Sequence, residues 1–392
     1  FSRPLTVGFL KANDKLVLDT RFFDESFKAR LLASIEDFDA QCDGLMVHSE
    51  NFQALNLLQE RYREQVKCVY IDPPYNTGGD GFTYKDSYQH SSWLSMFAGR
   101  MECFLYFMSK NGVFFASIDD NEMSNMKNIL DNCFGFNQFE SQIIIQSNKR
   151  GQTYQSVAKT HEYLFCYLAS ENAEIFELSK EISPNAPRDD IGHYELWELR
   201  NRNPKFGKHN RPNLYYPIYV DSKTLNEDGY AKLSLEKSEN FSVEAFPKNS
   251  TGKDSCWRWG KEKVAVALSN NNLSVLVAKQ KRDGGWNIYE KARKASTKAK
   301  SIWTETEVIN EQGTVEVGSL GFTEFGFPKP TGMVKKVLQL GSKKEDLIFD
   351  HFAGSGTTAH AVIDLNREDD GKRKYILVEM ADYFDTVLKP RI

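Results

Sequence analysis

The chain has 392 residues, 40% of them hydrophobic and 27% charged, with a formal net charge of −4. That length predicts two or more folding units of globular character, and the charge excludes a protein basic all over, so any nucleic-acid contact must rest on locally gathered Lys and Arg. The six cysteines are scattered with no C-x-x-C, which argues against a zinc site or disulfide scaffold and suits a reducing cytoplasm.

No signal peptide and no apolar run near 18 residues is visible, so no membrane span is expected. The chain opens at Phe1 without Met and stops at Ile392, and both ends are expected to be trimmed. There is no internal repeat. Residues 1–40 read as an N-terminal extension. From 41 to 170, strand-like and helix-like stretches alternate. Ser49 is the expected N-cap of a helix carrying Phe52, Leu55, Leu57 and Leu58 on one apolar face. Val66–Ile71 reads as a buried strand, residues 92–109 as a helix stopped by Asn111-Gly112, and Val113–Ile118 as a further strand. Residues 171–300 are irregular, with two acid-free basic runs, Arg200–Arg211 and Lys291–Lys300. From 301 to 392 the alternation resumes, with strands at Leu347–Asp350 and Tyr375–Glu379 around a helix at Thr357–Leu365. The pattern predicts an α/β, doubly wound, mostly parallel sheet interrupted by an insertion.

Asp72-Pro73-Pro74-Tyr75 follows the first buried strand. Two prolines make the turn rigid, and it presents one carboxylate, one carbonyl and one ring. The Asp72 carboxylate and the Pro74 carbonyl can hold the two hydrogens of an aromatic amine such as adenine's. Its nitrogen lone pair then becomes available, and Tyr75 can stack on the base. By itself the same tetrapeptide also suits a rigid turn with a capping Asp.

Asp350-His351-Phe352-Ala353-Gly354-Ser355-Gly356-Thr357-Thr358 joins a strand to a helix. The glycines permit close approach of backbone to a ligand, but neither a full G-x-G-x-x-G nor a phosphate-loop Lys is present. Glu379 ends the next strand, where an acid can accept ribose hydroxyls. This loop alone is equally compatible with an oxidoreductase or a plain tight turn.

Together the two motifs resemble the β group of DNA amino-methyltransferases, most closely the modification (Mod) subunits of type III restriction–modification systems. Further matching blocks are Asn76-Thr77-Gly78, Gln89–Leu94, Phe115–Glu122, Asn148–Gly151, His161-Glu162-Tyr163, Arg211–Pro217 and Phe327–Pro330. The resemblance implies a circularly permuted methyltransferase sheet and transfer of methyl from S-adenosylmethionine to adenine N6, with no metal. It assigns catalysis to Asp72, Pro73, Pro74 and Tyr75. It assigns cofactor binding to Asp350, Phe352, Ala353, Gly354, Ser355, Gly356, Thr357 and Glu379, and to Lys329 and Pro330 in a segment closing over the cofactor. The insertion is expected to recognise double-stranded DNA, through Arg200, Arg202, Lys205, Lys208 and Arg211 among interleaved aromatics. A restriction (Res) subunit, a homodimer and a cytoplasmic location are implied. His351 departs from the Pro of many relatives and should leave the loop intact. Asp119 and Asp120 either meet the cofactor or cap Asn121 onward, and His161 is expected to make a structural hydrogen bond. The alternatives are N4-cytosine methylation, an idle DNA-binding subunit and a nicotinamide oxidoreductase.

Overall fold

The computed structural model describes residues 6–13, 16, 18–78, 89–151, 156–180, 183, 185–249, 251–269, 273–293, 296–323 and 325–392. Lys294 of the second basic run lies outside them. Two compact units separate, one of residues 1–176 with 299–392, the other Glu177–Lys298.

In the first unit the strands are β1 (Gly44–His48), β2 (Val66–Ile71), β3 (Met108–Ile118), β4 (Phe139–Ile145), β5 (Glu162–Leu168), β6 (Ile302–Trp303), β7 (Leu347–Asp350) and β8 (Lys374–Glu379). They form one sheet in the order β1-β8-β7-β2-β3-β5-β4-β6. Only β5 runs against its neighbours. Its helices include α1 (Asn51–Tyr62), α2 (His90–Phe104), α3 (Met123–Phe134), α4 (Asn310–Ser319), α5 (Thr331–Gly341) and α6 (Thr357–Asp369).

Every residue of β2 is buried, because helices cover both sides of the sheet. Val69 and Ile71 join Leu55 of α1, Trp93, Phe97 and Phe104 of α2, and Met126 and Leu130 of α3 in one core. Successive strand residues face opposite ways, so Cys68 meets α5 on the other side. There a Cβ on Gly341 would come within 2.5 Å of Cys68 Sγ and 2.9 Å of Phe115, which makes glycine a packing requirement.

The local expectations differ from the fold in two places. The cap of α1 is Glu50, not Ser49: its carboxylate accepts from Gln53 N, while the Ser49 hydroxyl donates to Glu50 O. The buried positions of α1 are Asn51, Ala54 and Leu55, whereas Phe52 and Leu57 fall on the outer side and are exposed. Likewise α2 ends at Phe104, and Asn111-Gly112 lies inside β3 rather than after a helix. The strand bulges there, since Val66 pairs with Met108 and Cys68 with Val113. The N-terminal helices Val7–Ala12 and Glu25–Ala33 bury no residue.

The second unit is more ordered than its composition suggests. Six antiparallel strands run in the order Val243–Ala245, Ile218–Leu225, Tyr230–Ser234, Leu276–Gln280, Trp286–Ala292 and Glu195–Glu198. Its own core gathers Leu199, Tyr216, Val220, Trp257, Leu276 and Ile288.

His351 is fully enclosed between Phe104, Phe349 and Phe352, its ring stacked on Phe104 at 5.1 Å. Neither ring nitrogen has a hydrogen-bond partner among the described residues. Burial pushes its pKa down to about 3. The unfolded chain therefore binds a proton that the native state refuses, and stability is lost as pH falls from about 6.5 toward 3. The expected cost is about 1.4 kcal/mol per pH unit in that window, read from urea unfolding at several pH values. His351→Phe should abolish this component and be more stable by about 1 kcal/mol at pH 7.

Candidate active site

β2 and β7 are adjacent and parallel, with Cys68 opposite Ile348 and Val69 opposite Phe349. Their carboxyl ends therefore open on one edge of the sheet, where Asp72 follows Ile71 and Asp350 closes β7. Glu379 ends β8 beside them. Because β5 is reversed, its first residue, Glu162, arrives at this same edge. The result is a cleft of about 800 Å³ lined by Asp72, Tyr75, Lys329, Asp350, Gly354 and Glu379 among others.

The proline-braced turn is held from outside the cleft. Trp93, fully buried on α2, donates its indole N–H to the Pro74 carbonyl at 2.8 Å. One lone pair of that carbonyl is thus already used, and a carbonyl oxygen carries two. Among the described residues the Pro73 carbonyl carries no hydrogen bond. Asn76 takes a left-handed backbone, φ 61°, and its amide donates to Glu122 Oε1 at 2.7 Å. Glu122 is fully buried and also accepts from Asn125 at 2.6 Å, with His90 Nδ1 2.7 Å away. One carboxylate thereby ties the loop to the starts of α2 and α3.

Asp72 Oδ1 is shut off from solvent and has no hydrogen-bond partner among the described residues. The nearest cation is Lys329 Nζ at 3.5 Å. Burial pushes the Asp72 carboxyl up to about 6; Lys329 pulls it down, and Glu162 adds to the rise. Lys329 is itself buried, donating to Tyr75 Oη at 2.6 Å and to both Glu162 oxygens at 2.8 and 2.9 Å. Its side chain thus meets the proline turn, while its carbonyl accepts from Thr357 Oγ1 at 3.1 Å on the glycine loop. The neighbouring Pro330 caps α5.

In the glycine loop, Gly354 and Gly356 take φ values of 53° and 83°, a region costly for side-chain-bearing residues. Gly354 N donates to Glu379 Oε2 at 2.8 Å, and Met380 N and Ala381 N donate to Glu379 Oε1. Asp350 is buried and accepts from Phe352 N at 3.0 Å and the Thr358 hydroxyl at 2.5 Å. No ion pair to it occurs among the described residues, and burial pushes its carboxyl up to about 7. Arg391 braces the loop from below, donating to Ser355 Oγ at 2.6 Å, Thr357 Oγ1 at 2.9 Å and Thr331 Oγ1 at 3.2 Å.

Asp119 accepts from Asn121 N at 2.9 Å and pairs with Lys159 at 2.8 Å, and the residue also lines the cleft. His161 makes its structural hydrogen bond, with Nε2 3.0 Å from Tyr163 Oη. Among the described residues no cluster of three His, Cys, Asp or Glu could hold a metal.

In the second unit the five basic residues are not alike. Arg200 grips Glu198 with two hydrogen bonds, and Arg202 donates to the same carboxylate. Arg202, Lys205, Lys208 and Arg211 are all exposed; Lys208 lies over the Tyr215 ring with Asp254 Oδ2 3.9 Å from its ammonium, and Arg211 lies over Phe206.

Sequence reasoning missed Glu162, Trp93, Glu122 and Arg391 as supports of the site. For Glu162 the available signal was an acid opening an otherwise apolar strand. For Trp93 and Glu122 it was their presence in matching blocks.

A family model described as DNA methylase matches residues 66–389. The EcoPI Mod subunit of a type III restriction-modification enzyme from Escherichia phage P1 is 30% identical over 389 residues, 86% of this chain and 57% of that one. The type II methyltransferase M.KpnI of Klebsiella pneumoniae is 28% identical over 363 residues, 89% of this chain and 83% of that one. The StyLTI Mod subunit of Salmonella typhimurium is 29% identical over 367 residues, 85% of this chain and 52% of that one. The chain thus spans little more than half the length of these two Mod subunits.

Trp93→Phe leaves the Pro74 carbonyl without its donor and opens a cavity, for an expected loss of about 2–3 kcal/mol in urea unfolding.

Proposed function

This chain belongs to the DNA methylase family, and from that membership we propose that it methylates adenine N6 in duplex DNA using S-adenosylmethionine. It acts as the modification part of a type III restriction–modification system. The observation that carries the reading is Asp72 Oδ1, a buried acceptor without a hydrogen-bond partner among the described residues, in one cleft with Asp350, Gly354 and Glu379.

The residues fit the cofactor. Asp350 is a buried carboxyl served, among the described residues, by neutral donors, which suits the ammonium of the methionine moiety. Glu379, fixed by three backbone N–H groups, is assigned to the ribose hydroxyls. Phe352, Ala353, Ser355 and Thr357 complete the wall. Bound there, S-adenosylmethionine would supply a methyl group made electrophilic by its sulfonium.

The chain's own residues do the rest. A target adenine leaves the duplex and stacks on Tyr75, whose hydroxyl is pinned by Lys329. Asp72 and a proline carbonyl accept the two N6 hydrogens, so the lone pair leaves conjugation with the ring. With the Pro74 carbonyl engaged by Trp93, the Pro73 carbonyl is the better second acceptor. When nitrogen gains its fourth bond it becomes cationic, and a proton passes to Asp72 or water. Orientation of this kind supplies about 7–11 kcal/mol of barrier reduction.

In the insertion, Lys205, Lys208 and Arg211 neutralise phosphates, whereas Arg200 and Arg202 serve the fold through Glu198. A restriction subunit as partner and self-association follow from the likeness to Mod subunits. The same likeness supports a cytoplasmic location, and no helix of the described residues is long and apolar enough to cross a membrane.

Labelled S-adenosylmethionine with genomic DNA, followed by mapping of modified bases, should give N6-methyladenine, and duplexes lacking adenine should stay unlabelled. Asp72→Ala should cut turnover by about 100–1,000-fold with calorimetric cofactor affinity nearly unchanged. Near-normal turnover in that variant would remove Asp72 from the mechanism. Asp350→Asn should instead weaken cofactor binding. Alanine at Lys205, Lys208 and Arg211 should flatten the log–log salt dependence of DNA binding by about 0.9 per residue. A slope unchanged in the triple variant would exclude these side chains from the interface.

A further inference from the structure

Glu162 has no task in the methyl-transfer reading, yet it sits at the centre of the cleft's charge. Its side chain is 5% exposed and that of Lys329 9%. An ammonium has three hydrogens to give. Those of Lys329 go to Glu162, at 2.8 and 2.9 Å, and to Tyr75 Oη, at 2.6 Å. Asp72 Oδ1 lies only 3.5 Å from the same nitrogen but receives no hydrogen bond among the described residues. The cation is thus close enough to attract the Asp72 charge, while its hydrogens are drawn elsewhere.

We propose that Glu162 and Lys329 are a positioning pair that keeps Asp72 ionised with its Oδ1 free of a hydrogen bond, so that this oxygen stays open to the substrate amino group. Lys329 supplies the favourable charge. Glu162 anchors the ammonium and directs its hydrogens away from Asp72. Asn310 of α4 steadies Glu162 from the far side, its amide 3.5 Å from Oε2. The inference rests on the methyltransferase reading, because it assigns these two residues to support the same Asp72.

The titratable groups coupled electrostatically to Asp72 come from six segments of the chain. Lys329 precedes α5, Glu162 opens β5, Tyr70 lies on β2 and Tyr75 on the proline turn, Asp350 ends β7, and Tyr383 follows β8. Lys159, Asp119 and His161 line the same cleft, with Lys159 and Asp119 paired to each other. Of the groups in contact, Lys329 alone favours the ionised form of Asp72 by its charge, and Glu162 disfavours it.

The two residues therefore have opposite signatures in the pH dependence of kcat on a DNA duplex. Lys329→Met should move the acid limb to higher pH by about 1–3 pH units. It should lower kcat near neutrality about 100-fold, with activity partly recovered at alkaline pH. Lys329→Arg should keep the limb near its wild-type position. Glu162→Gln removes a like charge, so its limb should move to lower pH. Its kcat should fall across the range, because the released ammonium now binds Asp72. The KM for S-adenosylmethionine should stay near wild type in both.

Limbs that coincide with wild type, or that move in the same direction, overturn the pair. Should Lys329→Met fail to fold, the isosteric Glu162→Gln decides alone, and a limb unmoved or raised is fatal to the proposal. Should turnover be too slow to follow, the infrared band of the protonated Asp72 carboxyl, identified by its loss in Asp72→Asn, can be titrated instead. The same opposite shifts are expected there. A wild-type protein that methylates no DNA would sink the methyltransferase reading, while the infrared titration still decides the pair.

Discussion

The parallel pairing of β2 with β7 is the constraint on which the cleft depends. A strand's carboxyl end is where its chain must leave the sheet, so two parallel neighbours release their loops side by side. The Asp72 turn and the Asp350 loop meet because Val69 lies opposite Phe349, whatever the length of chain between them. The pairing also explains the burial of β2. Helices cover both of its sides, so the strand must be apolar throughout, and polarity is confined to the residue just past its end. Reversal of β5 then brings one further acid to that edge.

So many acids at one edge carry an electrostatic cost, and the cleft meets it in different ways. Glu379 is served by three backbone N–H groups, and Glu162 by a buried ammonium. Glu122 has two side-chain amides with a histidine beside them. Among the described residues Asp350 and Asp72 are left short: the first has neutral donors only, and the second an oxygen without a partner. Burial raises both carboxyls, to about 7 and about 6. A raised carboxyl destabilises the fold as pH rises through its native value, and a bound cation or donor relieves that cost. The two least satisfied acids therefore mark where a ligand gains most from entering. In the proposed function one faces an ammonium and the other an amine.

The strands at Val66–Ile71, Leu347–Asp350 and Tyr375–Glu379 were legible from sequence because apolar runs of that length, flanked by turn residues, have few other uses. The two loops were legible because each sits directly at a strand end. Contacts that depend on three-dimensional neighbours were not. Lys329 reads as part of a segment near the cofactor loop, and its carbonyl does touch Thr357, but its ammonium reaches the other loop through a buried ion pair. Arg200 and Lys205 look equivalent in an acid-free run, yet Glu198, two residues before the run, claims Arg200 with two hydrogen bonds. The α1 cap was misjudged by one residue because Ser, usually the better cap, donates its hydroxyl to the next carbonyl instead. In the insertion, short strands punctuated by Asn, Pro and Lys hide an antiparallel sheet whose pairing no local pattern specifies.

That insertion also shows how a long segment can interrupt a parallel sheet at little cost. Loop closure grows only slowly with length, so the demand on an insert is that its two ends lie close together. Here Leu178–Ser179 pairs antiparallel with Ser296–Thr297, joining the ends of the second unit in a two-stranded ladder. Between those ends the chain has a core of its own, from Leu199 to Ile288. Surface positions such as Lys205, Lys208 and Arg211 can therefore change without altering the strand order that brings Asp72 to Asp350. Separate cores let the surface of the second unit diverge while the strand order that forms the cleft stays fixed, provided substitutions spare the Glu198 ion pairs and the end-joining ladder.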